Sequence, residues 1–162
     1  MTKMISLDTS SKLSGWAYWE DAVLIDHGVI DMSGVKDPED RLNRMCCSLT
    51  SLLADHTPDI VVIEMTVVTT NAKTQRILSE IVGAVRGWCV SRAGNCAFYC
   101  IRPTEWRTKV CNKAEKPPRS KKDGLKEWDI SKVRENFGFD PVTDDEADAV
   151  LIGLAYCRLF VI

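Results

Sequence analysis

Acidic side chains stand at the ends of apolar segments in this sequence, where a folded chain ordinarily places apolar residues. Asp8 and Glu64 each end a short, mostly apolar run, and Asp145 and Asp148 lie three residues apart at the start of an otherwise apolar helical segment. A buried carboxylate without a partner costs on the order of several kcal/mol, so a chain retains such a group where cations or protons are shared. The pattern therefore predicts a fold in which these four acids meet around divalent metal.

The size of the chain fits one hydrophobic core. Its 162 residues, 45% of them hydrophobic, are too few for two ordinary domains, so we expect a single domain over residues 1–162. No apolar stretch approaches the roughly 20 residues of a membrane span, and the N-terminus lacks the pattern of a signal peptide. We expect a soluble cytoplasmic protein without a membrane partner, and its seven cysteines, an odd number without a CxxC pair, are expected as reduced thiols.

Charge is unevenly distributed along the chain. Residues 71–134 hold 15 of the 21 Lys and Arg and 6 of the 23 Asp and Glu, whereas the remainder holds 6 basic and 17 acidic residues. A basic middle segment beside acids at strand ends suits a protein that attracts a polyanion and holds cations at its centre. A solvated charged face explains the same distribution without any ligand.

Hydrophobic periodicity predicts an α/β fold, because strands and helices follow each other in an order that requires crossover connections. The predicted elements are strands 3–7, 15–20 and 22–32, a helix after the N-cap Asp37, strand 59–64, helix 71–92, strand 97–101, and helices 125–137 and 143–160. Thr143 is the predicted cap of the last helix, with Glu146 at the capping-box spacing. The apolar side of helix 71–92 fits either packing against the sheet or self-association.

The predicted elements bring the four acids together. In an open sheet, Asp8 and Glu64 can meet at the ends of neighbouring strands, while Asp145 and Asp148 share one face of a helix. Hard oxygen donors in this number suit Mg²⁺ or Mn²⁺ and not zinc. Two such ions could activate a water on one side of a phosphodiester and stabilise the leaving oxygen on the other.

Three of the acids have a simpler explanation when each is taken alone. Asp145 and Asp148 fit an acidic first helical turn that the helix dipole stabilises, and Asp8 fits a polar turn after a strand. Glu64 is different, since glutamate is neither a strand former nor a common turn residue. Catalysis is therefore indicated by the set of four and not by any single acid.

The residues around these acids resemble those of a known family. Segments 5–10, 15–17, 62–64 and 145–149 are similar in type and order to segments of the RuvC-type Holliday-junction endonucleases, and the likeness spans nearly the whole chain. The resemblance implies the ribonuclease H-like fold, an α/β fold with a mixed central sheet flanked by helices. The first three strands of that sheet are antiparallel and the later strands are parallel.

The resemblance also implies an activity. It implies a crossover junction endodeoxyribonuclease of DNA recombination and repair, a homodimer that uses two Mg²⁺ ions per active site, with Mn²⁺ able to substitute. Its partner is branched DNA, and no motif indicates whether a branch-migration motor binds the dimer. The implied catalytic residues, which are also the implied metal ligands, are Asp8, Glu64, Asp145 and Asp148.

Basic positions match the family as well. Arg107 falls where the family has a DNA-contacting lysine, and Lys126 matches a second such lysine, with ordinary surface charge as the alternative for both. The other residues predicted to contact DNA are Asn71, Lys73, Lys109, Lys121 and Lys122.

Two segments depart from the family pattern. Val67 and Val68 stand in the junction-contacting loop, and Val67 takes the place of a common aromatic side chain whose stacking on a base is worth roughly 1–3 kcal/mol. Segment 112–124 is more basic and more often interrupted by proline than the family's usual connection. Both departures would suit a phage-type relative, in a bacterial or phage-infected cell, with broad specificity for forks, flaps and junctions.

Two other functions are compatible with the same sequence. One keeps the fold and changes the substrate to RNA or an RNA–DNA hybrid. The other is a non-catalytic protein that binds branched DNA, in which the acids only cap turns and the basic segment supplies affinity.

Overall fold

The structure is a computed structural model that describes residues 1–66, 71–111, 115–118 and 124–160. In these residues, five strands form one sheet and five helices pack on its two faces. The elements are β1 (Lys3–Asp8), β2 (Leu13–Glu20), β3 (Val23–Asp31), α1 (Pro38–His56), β4 (Ile60–Glu64), α2 (Ala72–Ser91), β5 (Ala97–Ile101), α3 (Pro103–Val110), α4 (Leu125–Phe137) and α5 (Asp144–Phe160).

The sheet is mixed, as the family resemblance implies. Its strand order is β3-β2-β1-β4-β5, with antiparallel pairing among the first three strands and parallel pairing of β4 with both β1 and β5. Leu7 of β1 pairs with Ile63 of β4, so the next residues, Asp8 and Glu64, lie side by side where the two parallel strands end. The α/β fold prediction is confirmed.

Side-chain alternation along the strands decides which face the acids take. Leu7 and Ile63 are fully buried in the core that α1 and α2 cover, whereas Val62 belongs to the core on the opposite face, under α5. Because successive strand residues point to opposite faces, Asp8 and Glu64 are directed toward α5. The acids therefore face the helix that carries Asp145 and Asp148.

Predicted helix starts are found at their expected caps. Asp37 accepts hydrogen bonds from the backbone N–H groups of Glu39 and Asp40 at the start of α1. The Thr143 hydroxyl accepts one from the N–H of Glu146, 3.1 Å away, at the start of α5. Such side-chain caps satisfy backbone donors that have no partner within the helix.

The structure adds two points about helices that the sequence left undecided or missed. On α2, Ile81 and Val85 are fully buried in the same cluster as the α1 side chains, whereas Ile77 and Trp88 of the same stripe are only partly buried. Helix α3 was not predicted, although Pro103 stands at its first turn and Trp106 and Val110 lie four residues apart on its buried face. In the described part of the chain, no helix is both long and apolar enough to cross a bilayer.

Candidate functional site

The four acids that are predicted from the sequence to lie together line one cavity in the structure. The cavity has a volume of about 270 Å³ and lies where β1 and β4 end beneath the first turns of α4 and α5. Two further carboxylates line it, so that its acidic residues are Asp8, Glu64, Asp129, Asp144, Asp145 and Asp148. Arg107 and Lys126 bring positive charge to the same cavity.

Close backbone packing holds the first turn of α5 against the sheet. Gly15 of β2 leaves no room for a side chain, because a Cβ there would stand 1.9 Å from the carbonyl oxygen of Asp145. Farther along the helix, the Ser6 hydroxyl of β1 donates to the carbonyl of Ala149 at 2.7 Å. These contacts determine how far the α5 carboxylates lie from those of the strands.

A buried carboxylate supports the same turn from the side. Glu146 is 3% exposed, and its Oε1 lies 2.6 Å from Nδ1 of His27 on β3. Its other oxygen accepts a hydrogen bond from the N–H of Val142. The His27 ring stacks on Phe139, with ring centres 4.1 Å apart and planes inclined by 10°. The turn that carries Asp145 is therefore tied to β3 as well as to β2.

Arg107 lies inside the cavity and not on the outer surface. Its guanidinium Nη2 is 3.1 Å from Asp148 Oδ2 and 3.3 Å from Asp129 Oδ2, and its side chain is 13% exposed. The guanidinium carbon lies 4.1 Å from the ring centre of Trp106, whose indole N–H donates to Glu64 Oε2 at 2.6 Å. One network thus connects a strand acid with acids of α4 and α5.

Electrostatics in the cavity disfavour several neighbouring anions. Burial raises the pKa of Asp8 well above its ordinary value, and the nearby Glu64 and Asp145 raise it further. Burial likewise raises the pKa of Asp148, with Asp8 and Asp129 adding to the shift and Arg107 opposing it. Burial raises the pKa of Glu64 too, against the hydrogen bond from Trp106. The acids therefore need a cation or protons to share the cavity.

The donor chemistry of the cavity fits Mg²⁺ or Mn²⁺. Its acids offer only oxygen donors, and Oδ1 of Asp148 is buried without a hydrogen-bond partner. Across the described ranges, no three His, Cys, Asp or Glu side chains stand close enough together to hold an ion. Trp106 donates a hydrogen bond to Glu64, and Arg107 pairs with Asp148.

The predicted DNA-contacting residues have different surroundings. Lys126 pairs with Asp144 at the cavity, and Lys109 is exposed at the end of α3. Lys73 is exposed at the start of α2, where Asn71 caps the helix by accepting from the N–H groups of Lys73 and Thr74. Four of the predicted residues lie outside the described residues: Val67, Val68, Lys121 and Lys122.

Sequence reasoning missed three residues of the site. Asp144 directly precedes the predicted pair on α5, and Trp106 lies in a segment to which no helix was assigned. Asp129 is 2% exposed on α4, four residues before the fully buried Val133. That spacing places an acid on the buried face of a helix, and this was the signal that could have identified Asp129.

Neutralising Asp8 is expected to stabilise the metal-free protein. The folded-state pKa of Asp8 lies above its ordinary value of 3.8, so between these two values the folded protein binds more protons than the unfolded chain. This acid therefore contributes stability as pH falls through that window and opposes folding above it. Thermal unfolding in EDTA from about pH 8 to about pH 5 measures this effect. At neutral pH, Asp8→Asn should have a higher melting temperature than the wild-type protein, and its melting temperature should rise less when the pH is lowered. Identical pH profiles for the two proteins would contradict the prediction.

Solved structures with the same fold include Holliday-junction resolvases. RuvC of Thermus thermophilus in complex with a Holliday junction substrate superposes with a TM-score of 0.74 at 16% identity, covering 98% of this chain and 94% of that chain. A second structure of Thermus thermophilus RuvC gives 0.70 at 17% identity, with coverages of 97% and 94%. The yeast mitochondrial Holliday junction resolvase gives 0.59 at 15% identity, covering 97% of this chain and 78% of that chain.

These matches show that the chain has the ribonuclease H-like fold found in RuvC. No protein-family model matches the sequence, and no curated protein matches it either.

Proposed function

We propose that this protein is a Mg²⁺-dependent, structure-selective endonuclease that cuts four-way junctions and other branched DNA in the cytoplasm. One observation carries the proposal: acids from β1, β4 and α5, far apart in sequence, line a single small cavity. The fold, shared with a resolvase whose structure holds a Holliday junction, supports the choice of substrate. On this proposal, residues 1–162 form one nuclease domain that acts as a homodimer.

The residues that line the cavity support a role in phosphodiester hydrolysis. Asp8, Glu64, Asp145 and Asp148 would hold the metal, and divalent ions bound there supply an activated water and a Lewis acid for the leaving oxygen. Arg107 presents a guanidinium to the same space, which suits a phosphate oxygen that approaches the acids. Lys126 adds positive charge beside Asp144. The chain thus offers cations to the phosphate at the place where its own carboxylates would otherwise repel it.

A cleavage assay on matched substrates tests this proposal. The substrates are a synthetic four-way junction, a fork, a flap, a linear DNA duplex and an RNA–DNA hybrid, each incubated with Mg²⁺, with Mn²⁺ and with EDTA. We expect cleavage of the branched DNAs that requires metal, while the linear duplex stays intact. The mass of the protein in solution, measured by sedimentation, tests the homodimer.

The other outcomes of this assay identify the competing functions. Cleavage confined to the hybrid would replace the proposal by a ribonuclease. Tight junction binding without cutting in either metal would replace it by a non-catalytic DNA-binding protein, in which Arg107 and Lys126 serve only to neutralise the acids. Lower affinity at high salt is expected on all three readings and does not separate them.

A further inference from the structure

We infer that Asp129 is a positioning residue that holds the Arg107 guanidinium toward the substrate phosphate. The inference rests on the proposed function and adds a residue that lies outside the four-acid set. It starts from the burial of Asp129, which is 2% exposed on α4 although its residue type ordinarily faces solvent. A carboxylate in such a place requires a strong partner, because an unpaired buried charge is costly.

The partner of Asp129 is Arg107 on α3. Nε of Arg107 lies 3.4 Å from Asp129 Oδ1 and Nη2 lies 3.3 Å from Oδ2, so the two groups meet side by side as a fork. The Trp106 ring packs against the same guanidinium, whose carbon lies 4.1 Å from the ring centre. A forked pair fixes the plane of the guanidinium as well as its position.

Arg107 has a second acidic partner, and the two partners differ in what else they are proposed to do. Asp148 contacts the same Nη2, but it is one of the proposed metal ligands and has a buried oxygen without a hydrogen-bond partner. Asp129 lies on a different helix and is not one of the four acids, although its carboxyl group also forms a hydrogen bond with that of Asp148. If Asp148 binds metal, Asp129 is left as the acid that keeps Arg107 in place. The role that we assign to Asp129 is exerted through Arg107.

The geometry also explains why arginine suits position 107. The fork uses Nε and Nη2, and the Arg107 side chain lines the cavity. Lysine has one compact ammonium group and cannot pair side by side with a carboxylate while presenting a second nitrogen in a fixed direction. Loss of either member of the pair should then misplace the charge that meets the phosphate.

Asp129→Asn and Arg107→Lys, alone and combined, test the inference with Glu127→Gln as the matched control. Glu127 is an exposed acid on the same helix, two residues from Asp129. The measurements are the melting temperature in EDTA, junction affinity in EDTA, and the single-turnover cutting rate in Mg²⁺ at saturating protein. We expect Asp129→Asn to lower the rate by about 10- to 100-fold, because a misplacement of about 1 Å has an effect of that order. Its junction affinity should stay within about threefold of wild type, since most affinity comes from contacts along the DNA backbone.

The double variant separates positioning from an independent role. If Asp129 acts only through Arg107, replacing Asp129 should not lower the cutting rate further once Arg107 is altered. The double variant should then cut as slowly as Arg107→Lys alone. Wild-type cutting by Asp129→Asn would overturn the inference, as would losses that multiply in the double variant. An Asp129→Asn protein that loses junction affinity as strongly as rate would also overturn it.

Two further results keep the test decisive. Should Asp129→Asn fail to fold, the paired change of Asp129→Leu with Arg107→Met removes both charges together, which buried pairs often tolerate. That variant should fold and lose at least about tenfold in rate, and a full rate would overturn the inference. If neither the wild-type protein nor Glu127→Gln cuts the junction, the proposed function is refuted, and the role of Asp129 with it.

Discussion

Glu64→Gln is expected to abolish cutting of a four-way junction while the junction still binds. The amide keeps the size and shape of the side chain and can still accept the hydrogen bond from Trp106, but it removes the negative charge that a divalent cation requires. Loss of metal-dependent stabilisation by several kcal/mol corresponds to a rate decrease on the order of 10³-fold or more. Asp8→Asn should behave in the same way, since Asp8 lines the same cavity beside Glu64. Single-turnover rates in Mg²⁺, with binding measured in EDTA, give the two quantities separately.

Glu105→Gln provides the control for this substitution. Glu105 is exposed in the first turn of α3 and undergoes the same change of acid to amide outside the cavity. It should cut at nearly the wild-type rate. Undiminished cutting by Glu64→Gln would remove Glu64 from the mechanism, and loss of binding together with cutting would indicate that the acid supports the fold and not the reaction.

Gly15→Ala is expected to impair cutting by moving the helix that carries two of the acids. A Cβ at this position would lie 1.9 Å from the carbonyl oxygen and 2.3 Å from the carbonyl carbon of Asp145, and both are backbone atoms that no rotamer change can move aside. Restoring ordinary contact requires β2 and α5 to separate by roughly 1.5 Å, since carbon atoms approach to about 3.5 Å. We expect a loss of about 1–3 kcal/mol in the free energy of unfolding and at least about 10²-fold in cutting rate.

Denaturant unfolding and the junction assay together measure these two effects, and Gly34→Ala is the control. Nothing lies within 4 Å of a Cβ at Gly34, so alanine there should leave both quantities unchanged. Junction binding by Gly15→Ala should persist, because Lys73 and Lys109 belong to α2 and α3, which this contact does not involve. A Gly15→Ala protein with wild-type rate and stability would show that α5 does not rest on β2 as closely as the structure has it.

The fold could be predicted largely from local sequence patterns. Continuous apolar runs of β-branched residues predict buried strands, and capping residues such as Asp37 and Thr143 mark where helices begin. The register of β1 and β4 then follows from burial, because a shift by one residue would turn Leu7 and Ile63 out of the core. Asp8 and Glu64 lie at the same sheet end for this reason, and the α5 pair follows from helical spacing.

Other parts of the site could not be predicted from the sequence. Position 107 matches a DNA-contacting lysine in the family pattern, yet the structure places its guanidinium between acids of α4 and α5. The apolar stripe of α2 was compatible with core packing or self-association, and the structure buries Ile81 and Val85 of that stripe in the core. Periodicity identifies this face of α2, but the neighbour of the face belongs to another part of the chain. For Arg107, the helix itself was not predicted.

By itself, the sequence indicated most of the elements and the four acids that end or begin them, because each depends on spacing within one segment. The mixed sheet was implied by the resemblance to a known family. Only the tertiary structure decided that Arg107 lies among the acids and that Asp129 is its partner. Arg107 and Asp129 are 22 residues apart in sequence, and Arg107 and Asp148 are 41 residues apart. Hydrophobic periodicity indicates which residues are buried. The packing of helices that are distant in sequence determines which charged side chains come into contact.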